Sequence, residues 1–554
     1  MTIADPLTEE FQVNTALVTG EQDDPEIAAL PDGGFVIVYE AFDATARQNV
    51  VLAQQYDAQG EPVGTPTQVS PLNSGFNHNN PDVSVGEDGS WVVTWNSYAV
   101  NFPPTFGTEI YARTYGPDGQ PTSGPIIVNG VEAGEQYGQK VTMLSDGDFV
   151  VSFNVEASDG MTRGVFAQVF DADGTPKGSK IELAGVDGDF AGTAGTVGYP
   201  NGSFGIAWAS TTDDAAGDPI DRSSWYQLFD TKGDKKGQPV ELFKDVEEAR
   251  VYDVAGGADG SFVAVGTSVT STTNVGVQTF DKNGKPTMDA EVIVDPDKQL
   301  FEPSVDLLPD GGFIVTYTQA DLGFTHEDTY VQRFDADGNA VGAAQVNMTT
   351  GTGSFQDDGT VAVLEDGSFA ITWEGESPGE SQNVFAQVFQ SQWYGTDAAE
   401  QFVGSETNEL FEMGGGADTV KAQAGDDTVK GGAGADTLSG QKGKDNLQGG
   451  KKADNLNGGN GKDKLTGGKG NDELTGGEKA DKFIFKSAGD GKDTITDFEN
   501  NMDLIDLKGL DIGFDDLQIK KADNGASTNI LYDDLKIHLD GVKKGKIDAD
   551  DFLF

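Results

Sequence analysis

Residues 431–475 read GGAGADTLS GQKGKDNLQ GGKKADNLN GGNGKDKLT GGKGNDELT, five nine-residue units in unbroken register. The register extends upstream through MGGGADTVK (413–421) and AQAGDDTVK (422–430) and downstream through GGEKADKFI (476–484). Two degenerate copies precede these, with Glu400 and Glu409 at the Asp position. A period this short cannot close a globular core. It predicts a solenoid in which each unit packs on its neighbours. Gly permits turns with φ > 0 and brings carbonyl oxygens inward. The apolar residue two places after each Asp (Val420, Val429, Leu438, Leu447, Leu456, Leu465, Leu474, Phe483) is expected to fill a narrow core between two parallel sheets. Each Asp adds a hard anionic oxygen, which suits Ca²⁺ with its roughly six to eight oxygen ligands. Parallel carboxylate ladders would repel without a cation.

Upstream, a longer period takes over. Seven segments share a D-G or N-G turn followed by an aromatic-led strand: PDGGFVIVY (31–39), EDGSWVVTW (87–95), SDGDFVVSF (145–153), PNGSFGIAW (200–208), ADGSFVAVG (258–266), PDGGFIVTY (309–317) and EDGSFAITW (365–373). The aromatics Phe35, Trp91, Phe149, Phe204, Phe262, Phe313 and Phe369 are 56, 58, 55, 58, 51 and 56 residues apart. Each copy carries four strand-like segments, which predicts one propeller blade per copy. A β-sandwich array or linear tandem is the alternative. Phe35, Ile37 and Tyr39 face one side of their strand while Val36 and Val38 face the other, as expected of a sheet sandwiched between neighbours. The strand-end aromatics Tyr39, Trp95, Phe153, Trp208, Tyr317 and Trp373 are read as inter-blade packing.

Copies one to six end in a short strand, such as AQVNM (344–348). Copy seven stops at NVFAQVFQSQWY (383–394) without one. FQVNT (11–15) has the missing chemistry and precedes copy one, so it is expected to close the ring, pairing near Phe385–Phe389 and removing the exposed edges. The D-A-D-G turns at Asp171–Gly174 and Asp335–Gly338 are read as hairpin chemistry, in which Asp accepts local N–H bonds and Gly takes φ > 0.

The nonapeptide units resemble the RTX family, and the long repeats resemble tandem repeats of bacterial RTX-containing exported proteins. The resemblance implies that each unit is half a coil, with calcium held between turns eighteen residues apart. Asp418, Asp436, Asp454 and Asp472 would then line one side, and Asp427, Asp445, Asp463 and Asp481 the other. Lys452 and Lys479 replace Gly in two turns and Gln441 in another, so the turns around Asp454 and Asp481 are expected to be disturbed and those ending at Asp436, Asp463 and Asp472 intact. Residues 482–554 resemble the C-terminal region of serralysin-type RTX exoproteins through FIF (483–485), DTITDF (493–498), MDLIDLKGL (502–510) and DADDFLF (548–554). That resemblance implies a cap and a signal read by a type I secretion apparatus around Asp551-Phe-Leu-Phe.

The formal net charge is −56. Residues 394–554, with 20 Lys and 32 acidic residues, carry −12, leaving −44 upstream. Such a surface repels nucleic acid and anionic lipid. Cys is absent, which removes thiol chemistry and disulfide staples. The start MTIADPLTEEFQVNT lacks the features of a Sec signal, and no apolar run approaches a membrane span. No H-E-x-x-H, G-x-S-x-G or P-loop occurs, and His78, His326 and His538 stand in unrelated contexts.

The expectation is an all-β chain. A seven-bladed β-propeller (11–392), closed by the N-terminal strand, leads into an RTX parallel β-roll (393–484) and a C-terminal cap with a secretion signal (485–554). The chain reads as a secreted or cell-surface calcium-binding protein, with the propeller used for binding or assembly on a glycan or cell-surface component. The alternative is a hydrolase acting on an extracellular polymer through the propeller channel. Asp23, Asp24, Asn79 and Asn80 are candidates for the channel mouth, with solvated loops as their plainer account.

Overall fold

The computed structural model divides the chain into two compact units, Met1–Phe389 and Gln390–Phe554. It describes all residues except 1–6, 14–20, 73–74, 100–107, 131–133, 157–162, 185–189, 214–218, 245, 247–248, 270–272, 294, 296, 310, 325, 337, 347–354, 366, 377–381, 390–391, 396–398 and 405–407.

The first unit is a seven-bladed propeller of four-stranded antiparallel sheets. Blade one is Gln22–Ala29, Phe35–Asp43, Gln48–Tyr56 and Pro62–Gln68. The first strands of successive blades pack side by side around the ring, and that of blade seven, Phe355–Val363, returns to blade one. The D-G turns follow these inner strands. In blade one Gly33 takes φ 88°, and its N–H donates to Leu30 O.

One aromatic pair recurs in every blade. The aromatic that opens the second strand stacks on the one that ends the third: Phe35 on Tyr56 (5.1 Å), Trp91 on Tyr115 (3.8 Å), Phe149 on Phe170 (5.0 Å), Phe204 on Phe229 (5.0 Å), Phe262 on Phe280 (4.5 Å), Phe313 on Phe334 (4.7 Å) and Phe369 on Phe389 (5.2 Å). Each pair is directly opposed across the strands, where cross-strand aromatics stabilise a sheet most. The second strands are apolar on both faces because each face meets a different blade. Phe35, Ile37 and Tyr39 pack with Ala370, Val384 and Val388 of blade seven, whereas Val36 and Val38 pack with Val83, Trp91 and Trp95 of blade two. The strand-end aromatics Tyr39, Trp95, Phe153, Trp208, Tyr317 and Trp373 are all buried.

Polar bolts join the inner strands. Asp82 Oδ2 accepts the Val141 N–H (2.5 Å), Asp253 Oδ2 that of Val305 (3.0 Å) and Asp306 Oδ2 that of Val363 (2.7 Å). Each bond runs from one blade to the next and satisfies a backbone donor buried between sheets.

Blade seven takes its fourth strand from the N-terminus. Phe11 pairs with Ala386 and Gln12 with Phe385, antiparallel. The Val13 N–H donates to Val384 O and the Leu7 N–H to Val388 O, both at 2.9 Å. Val13 is buried between blades seven and one, with Phe11 against Tyr56 (5.3 Å). Asn14 and Thr15 of the expected strand lie outside the described residues. Gln392–Tyr394, read from sequence as the end of copy seven, instead pairs in parallel with Leu410–Glu412 and belongs to the second unit.

The second unit is a parallel β-solenoid. Strands eighteen residues apart pair in register within two sheets, for example Val420 with Leu438 and Val429 with Leu447. The eight predicted apolar residues form one core from which solvent is excluded. The segment after 485 continues the same sheets: Lys492–Ile495, Leu504–Asp506 and Phe552–Leu553 add parallel strands, and Gln518–Ala522, Ser527–Tyr532 and Leu535–Leu539 close one sheet as a meander.

Removing residues 1–15 is expected to lower the propeller's melting temperature, the loss of Phe11 and Val13 burial costing about 3–6 kcal/mol, and to promote edge-to-edge association. Calorimetry and light scattering check this. A truncated protein that melts like the full chain and stays monodisperse would remove the closing role.

Candidate metal centre

The eight Asp residues of the nonapeptide units fall on two ladders. On one, the Asp418 N–H donates to Asp436 Oδ1 (2.9 Å), that of Asp436 to Asp454 (2.9 Å) and that of Asp454 to Asp472 (3.0 Å). On the other, Asp427 donates to Asp445, Asp445 to Asp463 and Asp463 to Asp481, each at 2.9 Å. The ladders begin at the degenerate copies, where Glu400 N–H donates to Asp418 and Glu409 N–H to Asp427. One carboxylate oxygen of each Asp is thus spent on the backbone of the preceding coil.

The other oxygen, Oδ2, is buried without a hydrogen-bond partner at Asp418, Asp427, Asp436, Asp445, Asp454, Asp463, Asp472 and Asp481 alike. All eight side chains are at most 3% exposed. A carboxylate oxygen in that position costs free energy unless a cation or proton meets it. The space beside it is lined by more oxygen. A Cβ on Gly431 would stand 2.5 Å from Asp436 Oδ2 and 2.8 Å from Gly449 O. These turns therefore offer an oxygen-only donor set with room kept open by Gly, which fits a hard divalent cation such as Ca²⁺.

Burial pushes these carboxyls up: Asp427 to about 8, Asp454 and Asp481 to about 7, Asp418 and Asp445 to about 6, with Asp436, Asp463 and Asp472 also raised. Repulsion along a ladder adds to this, as between Asp427 and Asp445.

Two ladder members escaped the sequence reading. Asp472 N–H donates to Asp493 Oδ1 and Asp481 N–H to Asp503 Oδ1, both at 2.9 Å, across 21 and 22 residues. Inserted loops break the period of eighteen there. The signal is nonetheless present in D-T-I (493–495) and D-L-I (503–505), which keep the Asp and the apolar residue two places on. Asp493 Oδ2 is unpartnered like the others, whereas Asp503 Oδ2 accepts the Glu499 N–H (2.8 Å). The second ladder therefore ends on a satisfied carboxylate.

The Lys-bearing turns keep the same backbone path. Lys452 sits at φ 73°, Lys479 at φ 87° and Gln441 at φ 71°, left-handed values that Gly takes without cost and other residues take at about 1–2 kcal/mol. The disturbance expected at Asp454 and Asp481 is thus not one of geometry. At Asp454 it is electrostatic, and the Lys charges reach turns read as intact: Lys452 draws down Asp436 as well as Asp454, and Lys479 draws down Asp463.

In the propeller, every inner strand breaks register once, in blades one and two between Asp23 and Glu26 and between Asn79 and Asp82. Asp24 (φ 48°) and Asn80 (φ 49°) are left-handed there, and Asn80 Nδ2 donates to Asp24 Oδ2 (2.9 Å). Four residues singled out from sequence thus meet at these bulges. The inner strands line a channel of about 980 Å³. Among its described lining residues Lys140 is the sole cation, bound to Glu26 (2.5 Å) and Asp82 (3.2 Å). His78, His326 and His538 lie on separate elements, His78 in the first strand of blade two, His326 beside Glu327–Phe334 in blade six, and His538 in the roll.

Residues 414–447, 440–474 and 448–482 match the RTX calcium-binding nonapeptide repeat, found in four copies. Repeats of this kind bind Ca²⁺. No curated protein sequence matches the chain. Solved structures that resemble it include a protein of unknown function from Dyadobacter fermentans DSM 18053, 15% identical over 57% of this chain and 95% of that one, with a TM-score of 0.42. An ulvan lyase of polysaccharide lyase family PL25 is 12% identical over 68% and 95%, TM-score 0.43. The β-propeller domain of the trilobed protease from Pyrococcus furiosus is 9% identical over 66% and 95%, TM-score 0.39.

Two outcomes are expected of the roll. Carboxyl values raised in the cation-free fold mean that protonation stabilises it, fully below about pH 4 and decreasingly as pH rises through 6 to 8. In chelator the folded fraction of the roll should therefore be larger at pH 5 than at pH 8, whereas in calcium the midpoint concentration should fall as pH rises. A chelated roll that is more stable at pH 8 would contradict the carboxylate assignment. Separately, Lys452→Gly should lower the calcium midpoint several-fold by removing a competing cation and the left-handed strain, as read by a calcium titration of circular dichroism.

Proposed function

We propose that this chain is a secreted protein whose roll folds on calcium outside the cell and whose propeller serves as a non-enzymatic binding or adhesion domain. The observation that carries the first half is the pair of buried carboxylate ladders with one unpartnered oxygen on each Asp. Asp418, Asp427, Asp436, Asp445, Asp454, Asp463, Asp472 and Asp481 are the proposed ligands, with Asp493 added. Extracellular calcium modules bind at about 10⁻⁴–10⁻³ M, so cytosolic calcium leaves such sites empty while millimolar calcium adds on the order of 1–3 kcal/mol per site. Among the described residues no helix is long and apolar enough to cross a membrane.

Export through a type I apparatus fits the RTX match, and the proposed signal is Asp551–Phe554. In the folded roll Phe552–Leu553 is a strand: Phe552 pairs with Ile505, while Asp551, at the end of a 3-10 turn, holds Asn500 Nδ2 (2.9 Å) and the Asp548 N–H (2.9 Å). A signal in this position is available only before the roll forms.

A second reading, a hydrolase at the channel, has one observation in its favour. Burial splits the carboxyls at and beside the inner-strand bulges, Glu40 and Glu302 being pushed up to about 9 and Asp23 and Asp357 to about 6. Neutral and ionised carboxyls side by side are the usual acid and base pair.

The full chain should resist proteolysis between residues 390 and 554 only with millimolar calcium, and deleting Asp551–Phe554 should leave the protein inside a host carrying a cognate type I system. Protease resistance in chelator, or normal export of the deletion, would sink the reading. A screen of extracellular polysaccharides for binding and for released fragments separates the two propeller readings: retention without cleavage supports binding, and cleavage lost in Glu40→Gln supports the hydrolase.

A further inference from the structure

Blade one places two acidic side chains directly opposite one another. Asp23 on the inner strand is paired with Glu40 on the second strand. Like charges so placed destabilise a sheet, and the bulge adds a third at Asp24. One carboxylate oxygen from each of Asp23, Asp24 and Glu40 lies within 4.8 Å of the other two.

Glu40 is the informative member. It is 3% exposed. Its Oε1 accepts from Asn49 Nδ2 and from Asn79 Nδ2 (2.5 Å), so two amides fix the carboxylate in place. Its Oε2 is buried and has no hydrogen-bond partner. Asn79, on the neighbouring blade, donates its Nδ2–H to Glu40, and its own Oδ1 is likewise buried without a donor. Asn80 of the same strand holds Asp24. Lys140, the cation of the channel, is committed to Glu26 and Asp82.

We propose that Asp23, Asp24 and Glu40, joined by Asn79 Oδ1, form a divalent-cation site at the junction of blades one and two, distinct from the sites of the roll. The donors are all hard oxygens, three anionic and one neutral, the set that takes Ca²⁺ and excludes softer ions that prefer nitrogen and sulfur. A bound ion would meet the orphaned Oε2, cancel the cross-strand repulsion and tie the inner strand of blade one to that of blade two through Asn79 and Asn80. Burial and mutual repulsion hold all three carboxyls above their ordinary range in the ion-free fold, in keeping with a site shaped for a positive charge. The competing account is a proton on Glu40 that satisfies Oε2 from within the cluster.

The test uses the full chain and Ca²⁺ itself. Equilibrium dialysis counts ions bound per chain for the wild type, Glu40→Gln and Asp24→Asn, while calorimetry follows the melting of the propeller and circular dichroism the calcium midpoint of the roll. The expected result is one ion fewer in each variant, loss of the calcium-dependent rise in the propeller's melting temperature, and an unchanged midpoint for the roll. Because the roll is read separately, its failure to respond to calcium would count against the proposed function and not against this site. Equal ion counts in the wild type and both variants would overturn the site in favour of the proton. If Glu40→Gln fails to fold, Asp24→Asn and an anomalous-scattering peak from Mn²⁺ between Asp23, Asp24 and Glu40 decide the question, the absence of a peak overturning the proposal.

Discussion

A β-sheet that simply stops leaves a row of backbone donors and acceptors facing nothing, and both units of this chain are organised around that constraint. The propeller removes its problem by becoming circular. Seven sheets pack face to face, and the last is completed by residues from the other end of the sequence, Phe11 and Gln12 on Ala386 and Phe385. Once the ring is closed, the remaining features follow. Inner strands can be bolted to one another by buried Asp side chains because their spacing is fixed. Aromatic pairs can repeat in all seven sheets because each sheet is flanked by a blade on both faces. The roll ends one of its sheets with an antiparallel meander, Gln518–Leu539, that carries the sheet's edge from the solenoid coils to the short strand Gln518–Ala522.

Both units also bury negative charge. In the roll the carboxylates are stacked by the repeat itself, so each coil adds an oxygen that its own backbone cannot satisfy. In the propeller they gather where the inner strands bulge. A bulge turns one residue out of the ladder, and here the residue so released is often acidic: Asp24, Glu302 and Asp358 are all left-handed. The fold therefore depends on its surroundings for countercharge at the roll, while Lys140 supplies it inside the channel at Glu26 and Asp82.

The architecture was legible because it is periodic. A turn and an aromatic every 51–58 residues announced seven equivalent sheets, and the missing strand of copy seven pointed to FQVNT. The Asp ladders were legible for the same reason. What escaped was whatever broke the period. Asp493 and Asp503 sit behind loop insertions, so a search in steps of nine passes them by, although D-x-U survives locally. The reach of Lys452 to Asp436 was hidden because the two are neighbours only across coils. Glu40 could not be picked out at all. It lies in the middle of FVIVYEAFD (35–43), a mostly apolar strand, and only the pairing with Asp23 brings it to the cluster.

The long-range closure also has a kinetic side. The pairing of Gln12 with Phe385 spans 373 residues of chain, and contacts of such sequence separation form late, because loop entropy must be lost before they reward the chain. The seven blades can assemble from local hairpins well before the ring is sealed. During that interval each molecule carries one complete set of partners, a loose Phe11–Gln12 segment and an open blade seven. The segment of one copy fits the gap in another as well as its own. Dilution therefore favours self-sealing, and crowding during folding favours exchange, so the state of assembly records the concentration at which the protein folded.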